Sequence, residues 1–279
     1  MSSIKDFYHG EEVFITGATG FIGKVLVEKI LRTCSGVKTV YLLMRPKKSQ
    51  TTNDRVKALT DNPYFSTLKA ADSEAINKLL VIEGDSKELR LGISDNDMQR
   101  IKSCSIMFHL AASIRFDDLL KDAILLNTRG AREVCELAKN LPNLKALVHV
   151  STAYVQPLEL NVVEELIDID CDWRDYIKFA ENLPTDVLNA LTKKLTKHAV
   201  NTYTYTKLLA EHICNDYRNK YDLPIVIYRP SIVAWSDSEV QTGWSDTMNG
   251  PNSMIFSYFS GLKRVQIGSN DIEVIPVDL

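Results

Sequence analysis

Two tyrosines and a lysine stand close together in NTYTYTKLLAE, residues 201–211. On a helix, side chains four positions apart share a face, whereas those two positions apart point about 200° apart. We therefore expect Tyr203 to lie over Lys207 and Tyr205 to face elsewhere. A tyrosine near a lysine can give a proton to a carbonyl oxygen as a hydride adds to the carbonyl carbon. The spacing thus indicates proton donation by Tyr203 in a carbonyl reduction.

The lysine matters because a free tyrosine, with a pKa of ~10, is poorly matched to proton donation near neutrality. Lowering that pKa to ~7 requires about 4 kcal/mol. An ammonium some 4 Å away supplies on the order of 4 kcal/mol at an effective dielectric of 20. We therefore expect Lys207 to lower the pKa of Tyr203.

Hydroxyl side chains follow the apolar run ALVHV, in the sequence VSTAY. A hydroxyl there could hold the substrate oxygen, and alternation along a strand lets only one of Ser151 and Thr152 face a cleft. We favour Thr152, with Ser151 as the alternative; turn capping explains such hydroxyls as well. Asn127 lies in the predicted helix that follows strand four. Its side chain could stabilise a relay water, or it could cap a helix or face the surface.

Three glycines, Gly17, Gly20 and Gly23, follow the apolar run EVFIT in TGATGFIGK. Glycines there permit a tight turn, close approach of a pyrophosphate and tight packing of helix on strand. The pattern favours a dinucleotide site over a glycine turn without a ligand. The residues expected to contact the dinucleotide here are Thr16, Gly17, Thr19, Gly20, Phe21, Ile22 and Gly23.

The second apolar run ends in LLMRPKK, with no acidic residue to bind a ribose hydroxyl. Arg45 can form a planar fork on a 2′-phosphate, with Lys47 and Lys48 nearby. We therefore expect NADPH rather than NADH, the alternative for these cations being a solvated basic turn.

Two further segments could contact the same cofactor. Asp85, after the third apolar run, is available to an adenine amine. In HLAAS, Ala111 and Ala112 leave room for a cofactor against the backbone.

The elements that must position these residues alternate between strands and helices. The predicted strands, each expected to be buried on both faces, are EVFITG, TVYLLMR, LLVIEGD, SIMFHLAA, ALVHVSTAYV and PIVIYRPSIV. The predicted helices include FIGKVLVEKILRTC, LLKDAILLNTRGAREVCELAKN and TYTKLLAEHICNDYRNKY. This alternation predicts an α/β fold with a doubly wound parallel sheet. We expect a single NAD(P)-binding domain over residues 1–279, with a substrate-side insert at about 156–200 and a substrate-side tail at about 235–279.

Composition narrows the class of protein. The 33 basic and 36 acidic residues give a net charge of −3 and are mixed along the chain, which argues against nucleic acid as a partner. The five cysteines are scattered, so neither a disulfide framework nor a metal site is indicated, and an intracellular, reducing compartment fits best. No signal-peptide pattern and no apolar window of ~18 residues occurs.

The motifs TGATGFIG, HLAAS, VSTAY, YTYTK and YRPSIV together resemble an extended short-chain dehydrogenase/reductase with a Rossmann fold. More narrowly, VFITGATGFIGKVLVEKIL, YLLMRPKK, NTYTYTKLLAEH and GWSDTMNGPNSMI are similar to the fatty acyl-CoA reductases of the male-sterility type, with an insect-like character. The resemblance implies reduction of a long-chain acyl-CoA to a primary alcohol and CoA with two NADPH. It also implies catalysis by Tyr203, Lys207 and one of the two hydroxyls at 151 and 152, and we expect Tyr203 and Lys207 to contact the cofactor as well.

Members of that family usually continue past the IPVD segment with a helical C-terminal domain, often ending in a hydrophobic stretch. Since the sequence stops at Leu279, we expect a fragment of a longer protein, with impaired stability or activity on its own. The resemblance implies attachment of the longer protein to the endoplasmic reticulum or peroxisome membrane. The sequence is compatible with a homo-oligomer.

Two other functions fit the same motifs. One is an extended reductase or epimerase acting on a nucleotide sugar or steroid, and the other is a non-catalytic scaffold that binds NADPH. The segment at 243–264, GWSDTMNGPNSMIFSYFSGLKR, favours an acyl-CoA, because it could line an acyl channel and its Lys263 and Arg264 could bind CoA phosphates. An amphipathic surface helix is the alternative for this segment.

Overall fold

A computed structural model describes residues 3–45, 50–155, 162–196, 199–265 and 273–279. The strands in these ranges are β1 (Glu12–Thr16), β2 (Thr39–Met44), β3 (Leu79–Glu83), β4 (Ile106–His109), β5 (Ala146–Val150), β6 (Ile225–Tyr228), β7 (Ile232–Ala234) and β8 (Val274–Pro276). The α-helices are α1 (Ile4–Tyr8), α2 (Phe21–Thr33), α3 (Thr52–Thr60), α4 (Ser66–Ala71), α5 (Asp95–Arg100), α6 (Leu120–Ala123), α7 (Gly130–Lys139), α8 (Trp173–Asn182), α9 (Thr185–Leu195), α10 (Thr202–Tyr221) and α11 (Pro251–Phe259).

Six strands form one parallel sheet in the order β3-β2-β1-β4-β5-β6, which confirms the predicted doubly wound α/β fold. The order reverses between β1 and β4, where Thr16 lies opposite His109. In such sheets, ligands bind outside the carboxyl ends of the strands at this reversal. The predicted site residues at the ends of β1, β4 and β5 therefore lie at one edge.

Alternation along the strands supplies a hydrophobic core on each face of the sheet. Phe14 belongs to one core, with Val134 of α7 and Ile213 of α10. Val13 belongs to the other, with Val27 of α2. The helix that carries Tyr203 and the helix that follows the glycine turn thus pack on opposite faces.

The prediction that every strand is buried on both faces is wrong for the outermost strands. Leu80 of β3 is 38% exposed and Val226 of β6 is 55% exposed. Both strands are sheet edges, and at these positions one face is open to solvent.

Two predicted strands end earlier than the sequence suggests. PIVIYRPSIV forms β6 and β7, and β7 pairs with β8 in a separate parallel sheet. Pro230 lies between them and has no N–H to donate to a ladder. ALVHVSTAYV leaves the strand after Val150 and forms a 3₁₀ turn over Ala153–Val155.

The predicted helix at 119–140 is also divided. A π-helical turn, Ile124–Arg129, separates α6 from α7 and contains Asn127. Such turns are rare in α-helices and frequently occur at functional sites.

The described part of the insert is helical, as predicted, and consists mainly of α8 and α9. In the tail, the carboxylate of Asp278 accepts hydrogen bonds from Ser236 Oγ and from the backbone N–H groups of residues 237, 238 and 239, at 2.7–3.0 Å. This carboxylate holds the loop after β7 against the segment after β8. Within the described ranges, no helix has the length and apolarity needed to cross a membrane.

Candidate active site

Tyr203 lies in the first turn of α10, beside the end of β5. Asn201 begins this helix, its Oδ1 accepting from the N–H of Thr204 at 2.9 Å. The Tyr203 hydroxyl lies close enough to the Thr152 side chain for the threonine to lower the pKa of the tyrosine, and the tyrosine ring lies 6.0 Å from that of Phe116. The structure therefore brings together the tyrosine and the hydroxyl favoured from the sequence.

Tyr205 has a different environment, as helical phase predicts. It is buried, its ring centroid lies 5.4 Å from that of Tyr176, and its hydroxyl lies 3.5 Å from Cys171 Sγ. Tyr205 packs against α8 and not toward Thr152.

The prediction that Lys207 lowers the pKa of Tyr203 is wrong. Burial raises the pKa of Tyr203, and the Thr152 side chain opposes that rise. The ammonium of Lys207 instead donates to the carbonyl oxygen of Val150 at 2.6 Å. Helical spacing places the lysine on the right face, but its Nζ is engaged by the strand.

Lys207 is almost fully buried, at 3% exposure, and burial lowers its pKa to about 8. Cys214 and Glu211 on the same helix oppose this shift. Glu211 is itself buried and forms two hydrogen bonds with Arg229, at 2.9 and 2.6 Å. A cation therefore lies within the end of the sheet and is charged at neutral pH.

The two neighbouring hydroxyls are placed differently. Thr152 Oγ1 accepts from the N–H of Tyr154 at 3.3 Å and faces Tyr203. Ser151 is 2% exposed, and its Oγ has no hydrogen-bond partner among the described residues. The geometry favours Thr152 as the partner of Tyr203.

The glycine turn is too tight for other residues. Gly17 has φ +76°, and a Cβ there would lie 2.6 Å from the backbone nitrogen of Ala111. A Cβ on Gly23 would lie 2.3 Å from the carbonyl oxygen of Gly17. Gly20 is the N-cap of α2, and no side chain there bonds to the N–H groups of the first helical turn. These N–H groups are therefore available to an anion. This cradle fits a pyrophosphate.

The other predicted residues of the turn have distinct surroundings. Thr19 is exposed, Ile22 is half-buried, and Phe21 stacks on Trp244 with a centroid distance of 5.5 Å. Thr16 is fully buried; its hydroxyl bonds to Nδ1 of His109 at 2.7 Å and accepts from the N–H of Ala111 at 3.2 Å. Its hydroxyl therefore joins β1 to the residues after β4, where Ala111 and Ala112 are half-buried.

Two arginines meet at the end of β2. Arg45 is exposed, and Arg55 of α3 donates from Nη1 to the backbone carbonyl of Arg45. Burial lowers the pKa of Arg55, and the charge of Arg45 lowers it further. Lys47 and Lys48 lie outside the described residues. The role of Arg55 could not be predicted from the sequence: the capping pattern at 51–54 marks the start of α3, but no local signal gives that helix its direction.

Asp85 and Asn127 already have protein partners. Asp85 Oδ1 accepts from the N–H of Lys87 at 2.9 Å, so this carboxylate caps a turn, and its contact with adenine stays a prediction. Asn127 is buried; its Oδ1 accepts from Ser113 N, and its Nδ2 donates to Ser113 O and Thr206 Oγ1, at 2.8–3.1 Å. The asparagine links the loop after β4 to α10.

A cavity of about 430 Å³ adjoins α10 on the side of Thr204 and Tyr205. Its wall is mainly apolar and includes residues of the insert. The lining residues are Val155, Ile167, Asp168, Ile169, Asp170, Cys171, Thr196, Ala199, Thr204, Tyr205 and Leu208.

The segment at 243–264 divides into a buried and an exposed part. Trp244 is buried between Phe21 and Tyr64, whereas Phe259 at the end of α11 is 90% exposed. Lys263 and Arg264 are exposed. The acyl-channel and CoA contacts suggested for this segment stay predictions. The described residues contain no cluster of side chains suited to a metal ion.

Comparisons with known proteins give consistent matches. A family model described as "Male sterility protein" matches residues 15–279. The chain is 38% identical to Fatty acyl-CoA reductase wat of Drosophila melanogaster and 38% identical to Fatty acyl-CoA reductase 2 of Homo sapiens. Both alignments cover 100% of this chain but only 55% and 54% of those proteins. The chain thus spans about half the length of these relatives.

Solved structures match at the level of the fold. The terminal R domain of the myxalamid PKS-NRPS pathway has a TM-score of 0.71 at 21% identity, covering 97% of this chain and 60% of that one. The UDP-glucuronic acid 4-epimerase of Bacillus cereus, in complex with UDP-glucuronic acid and NAD, has a TM-score of 0.60 at 18% identity, covering 96% and 69%.

Proposed function

Because the chain belongs to the male sterility protein family, and its matched relatives are fatty acyl-CoA reductases, we propose that it reduces a long-chain fatty acyl-CoA to the primary alcohol. CoA is released and two NADPH are consumed. The observation that carries the proposal is the pairing of Tyr203 with Thr152, at the same sheet edge as the glycine turn.

The cofactor is proposed from the chain's own residues. Gly17, Gly20 and Gly23 form a cradle into which a pyrophosphate fits, at the start of α2. The two guanidinium groups of Arg45 and Arg55 support recognition of a 2′-phosphate, and hence NADPH over NADH. When bound, NADPH supplies the hydride for each reduction.

Tyr203 and Thr152 are proposed to act on the substrate oxygen. Thr152 donates a hydrogen bond to that oxygen, and Tyr203 gives it a proton as charge develops. Burial raises the pKa of Tyr203 in the free chain, so its hydroxyl is protonated but weakly acidic at neutral pH. We propose that proton transfer becomes favourable only as negative charge develops on the substrate oxygen. As the C–S bond breaks, the hemithioacetal hydroxyl loses its proton, an equivalent proton leaves with the sulfur as CoA thiol, and the aldehyde remains. The aldehyde then takes the hydride of a second NADPH at carbon and a second proton at oxygen, through the same groups.

Lys207 is proposed to act through its charge. Its ammonium is held against Val150 and keeps the end of the sheet positive below about pH 8. This charge favours an anionic cofactor and opposes the build-up of positive charge elsewhere in the site.

The acyl chain is proposed to occupy the cavity beside α10. Its volume of about 430 Å³ and its apolar wall suit a hydrocarbon. Thr204 and Tyr205 in that wall adjoin Tyr203 along α10, and Val155 ends the turn that follows Thr152. The residues at 167–171, 196 and 199 come from the insert, which supports its placement on the substrate side.

The test is NADPH oxidation by the purified chain with acyl-CoAs of graded length, with free thiol measured in parallel. We expect two NADPH consumed per thiol released and faster turnover of long chains. Turnover of a UDP-sugar with a retained cofactor would instead indicate an epimerase. Binding of NADPH without turnover of any of these substrates would indicate a scaffold.

A further inference from the structure

A buried polar cluster lies beneath Lys207, at the ends of β4 and β5. His109 and His149 are directly opposite each other in the sheet, and their ring centroids are 5.2 Å apart. Each is 1% exposed. Ser151 lies two residues after His149, just past the end of β5, and is also buried, at 2% exposure.

Several polar atoms of this cluster have no partner among the described residues. These atoms are His109 Nε2, both ring nitrogens of His149, and Ser151 Oγ. Leaving a buried polar atom unsatisfied costs about 1–3 kcal/mol, and the large majority of such atoms in folded proteins have a partner. These atoms would be satisfied by a small ligand able both to donate and to accept.

Both imidazoles are neutral at physiological pH. Burial, followed by the charge of Lys207, lowers the pKa of His109 to about 3 and that of His149 well below its usual value. A neutral imidazole carries one donor and one acceptor nitrogen, and a serine hydroxyl also does both. Water satisfies such a mixed set, whereas a cation or an anion would satisfy only part of it.

The cluster adjoins the ammonium of Lys207. Nζ donates to the carbonyl oxygen of Val150, the residue between His149 and Ser151. An ammonium has three donors, so two remain for other acceptors. Asn127, the residue that the sequence suggested for a water, already bonds to Ser113 and Thr206.

We propose that His109, His149 and Ser151 form an internal water-binding site that supplies the remaining hydrogen bonds of Lys207. His149, with two unpartnered nitrogens, is the main positioning residue. Its contribution is to keep Lys207 solvated, and so charged, at the place where the proposed reductase needs a cation. The catalytic meaning of this site rests on the proposed function, but its existence does not.

The test is an NMR titration of the Lys207 side chain in the full chain without cofactor, its signal identified by its loss in Lys207→Met. His149→Phe keeps a ring of similar size but removes both nitrogens. Because His149 is neutral near pH 8, this change alters solvation and not charge. We expect the pKa of Lys207 to fall by about one unit, a tenfold change in its ionisation ratio.

His149→Asn, which keeps a donor and an acceptor, is the matched control and should hold the pKa of Lys207 near that of the unaltered chain. Ser151→Ala, a smaller change that should fold in any case, should lower it by a smaller amount. Glu211 and Cys214 on α10 and His109 on β4 also face this lysine and are unchanged in all three variants.

An unchanged pKa of Lys207 in both His149→Phe and Ser151→Ala would overturn the proposal. If His149→Phe does not fold, Ser151→Ala alone decides the matter. This measurement needs no turnover, so a failure of the water site and a failure of the proposed function are distinguished.

Discussion

The positions of the two tyrosines along α10 predict that their side chains have different surroundings. Helical phase separates Tyr203 from Tyr205, and the structure places them against Thr152 and Tyr176 respectively. The pKa of Tyr203 could not be predicted in the same way. It depends on burial and on where Lys207 Nζ points, and both are set by β5 rather than by the sequence around the tyrosine.

A pH dependence follows from the buried lysine. With a pKa of about 8, Lys207 in the free chain loses its charge as the pH rises through 8. Since an anionic cofactor favours the charged form, the affinity for NADPH should fall above about pH 8, by at most tenfold per pH unit. Fluorescence titrations with NADPH, at pH values from about 6 to about 10, measure this change in affinity.

Lys207→Met is the control for that titration. It should bind NADPH weakly at every pH and lose the decline near pH 8. A decline of the same size in this variant would show that another group is responsible.

The glycine turn gives a graded test at the residue scale. In Gly23→Ala the new Cβ would meet backbone at 2.3 Å, and in Gly20→Ala the nearest atom would lie at 3.2 Å. We expect Gly23→Ala to lower the free energy of unfolding by about 1–3 kcal/mol or more, with loss of NADPH binding. Gly20→Ala should be clearly milder. Denaturant unfolding measures the free energy of unfolding of both variants. Equal values would contradict the packing described.

At the scale of elements, regular segments could be predicted and interruptions could not. EVFITG, TVYLLMR and FIGKVLVEKILRTC became β1, β2 and α2 because local pattern and packing agree there. The break between β6 and β7 has a local cause in Pro230. The π-helical turn has none that is visible in the sequence, and Asn127 within it bonds to Ser113 and Thr206 across the fold.

The link between the two tail segments provides a prediction for an element. Asp278 accepts one hydroxyl and three backbone N–H hydrogen bonds, and together these hold its pKa well below the usual value despite burial. A carboxyl whose folded-state pKa is lowered stabilises the fold above pH ~4 and loses that effect as the pH falls. Asp278→Asn should therefore cost about 1.5–3 kcal/mol at neutral pH.

Hydrogen exchange at the amides of residues 237–239 measures this loss directly. Asp95→Asn, at an exposed carboxylate paired with Arg90, is the control and should change stability by less than about 0.5 kcal/mol. Unchanged exchange in Asp278→Asn would mean that the carboxylate does not hold the loop.

At the scale of the whole molecule, the strand order gathers the site from distant parts of the sequence. Because β1, β4 and β5 are neighbours, one edge of the sheet carries Tyr203, Thr152 and the glycine turn. The order of the motifs along the sequence predicts this placement at one edge. Arg55 and the pair of His109 and His149 were missed because only the folded chain brings them to their partners.

Cofactor selectivity can be tested through the stability of the whole chain. At a hundred times its Kd, NADPH should add about 2.7 kcal/mol, or roughly 4–6 °C in Tm. NADH at the same concentration should add less. Replacing Arg45 and Arg55 with alanine should reduce the NADPH shift to that of NADH and leave the NADH shift unchanged. Equal shifts for both cofactors in the unaltered chain would contradict a role for these arginines.

The most direct test of the account compares Tyr203→Phe with Tyr205→Phe in the rate of CoA thiol release from palmitoyl-CoA with NADPH. Each variant loses one hydroxyl from the same helix. We expect Tyr203→Phe to release thiol about 10²–10⁴ times more slowly while still binding NADPH. Tyr205→Phe keeps the ring that lines the proposed acyl cavity and loses only its hydroxyl, so it should change the rate by less than about tenfold. Equal rates for the two variants, or a larger loss in Tyr205→Phe, would contradict the assignment of Tyr203.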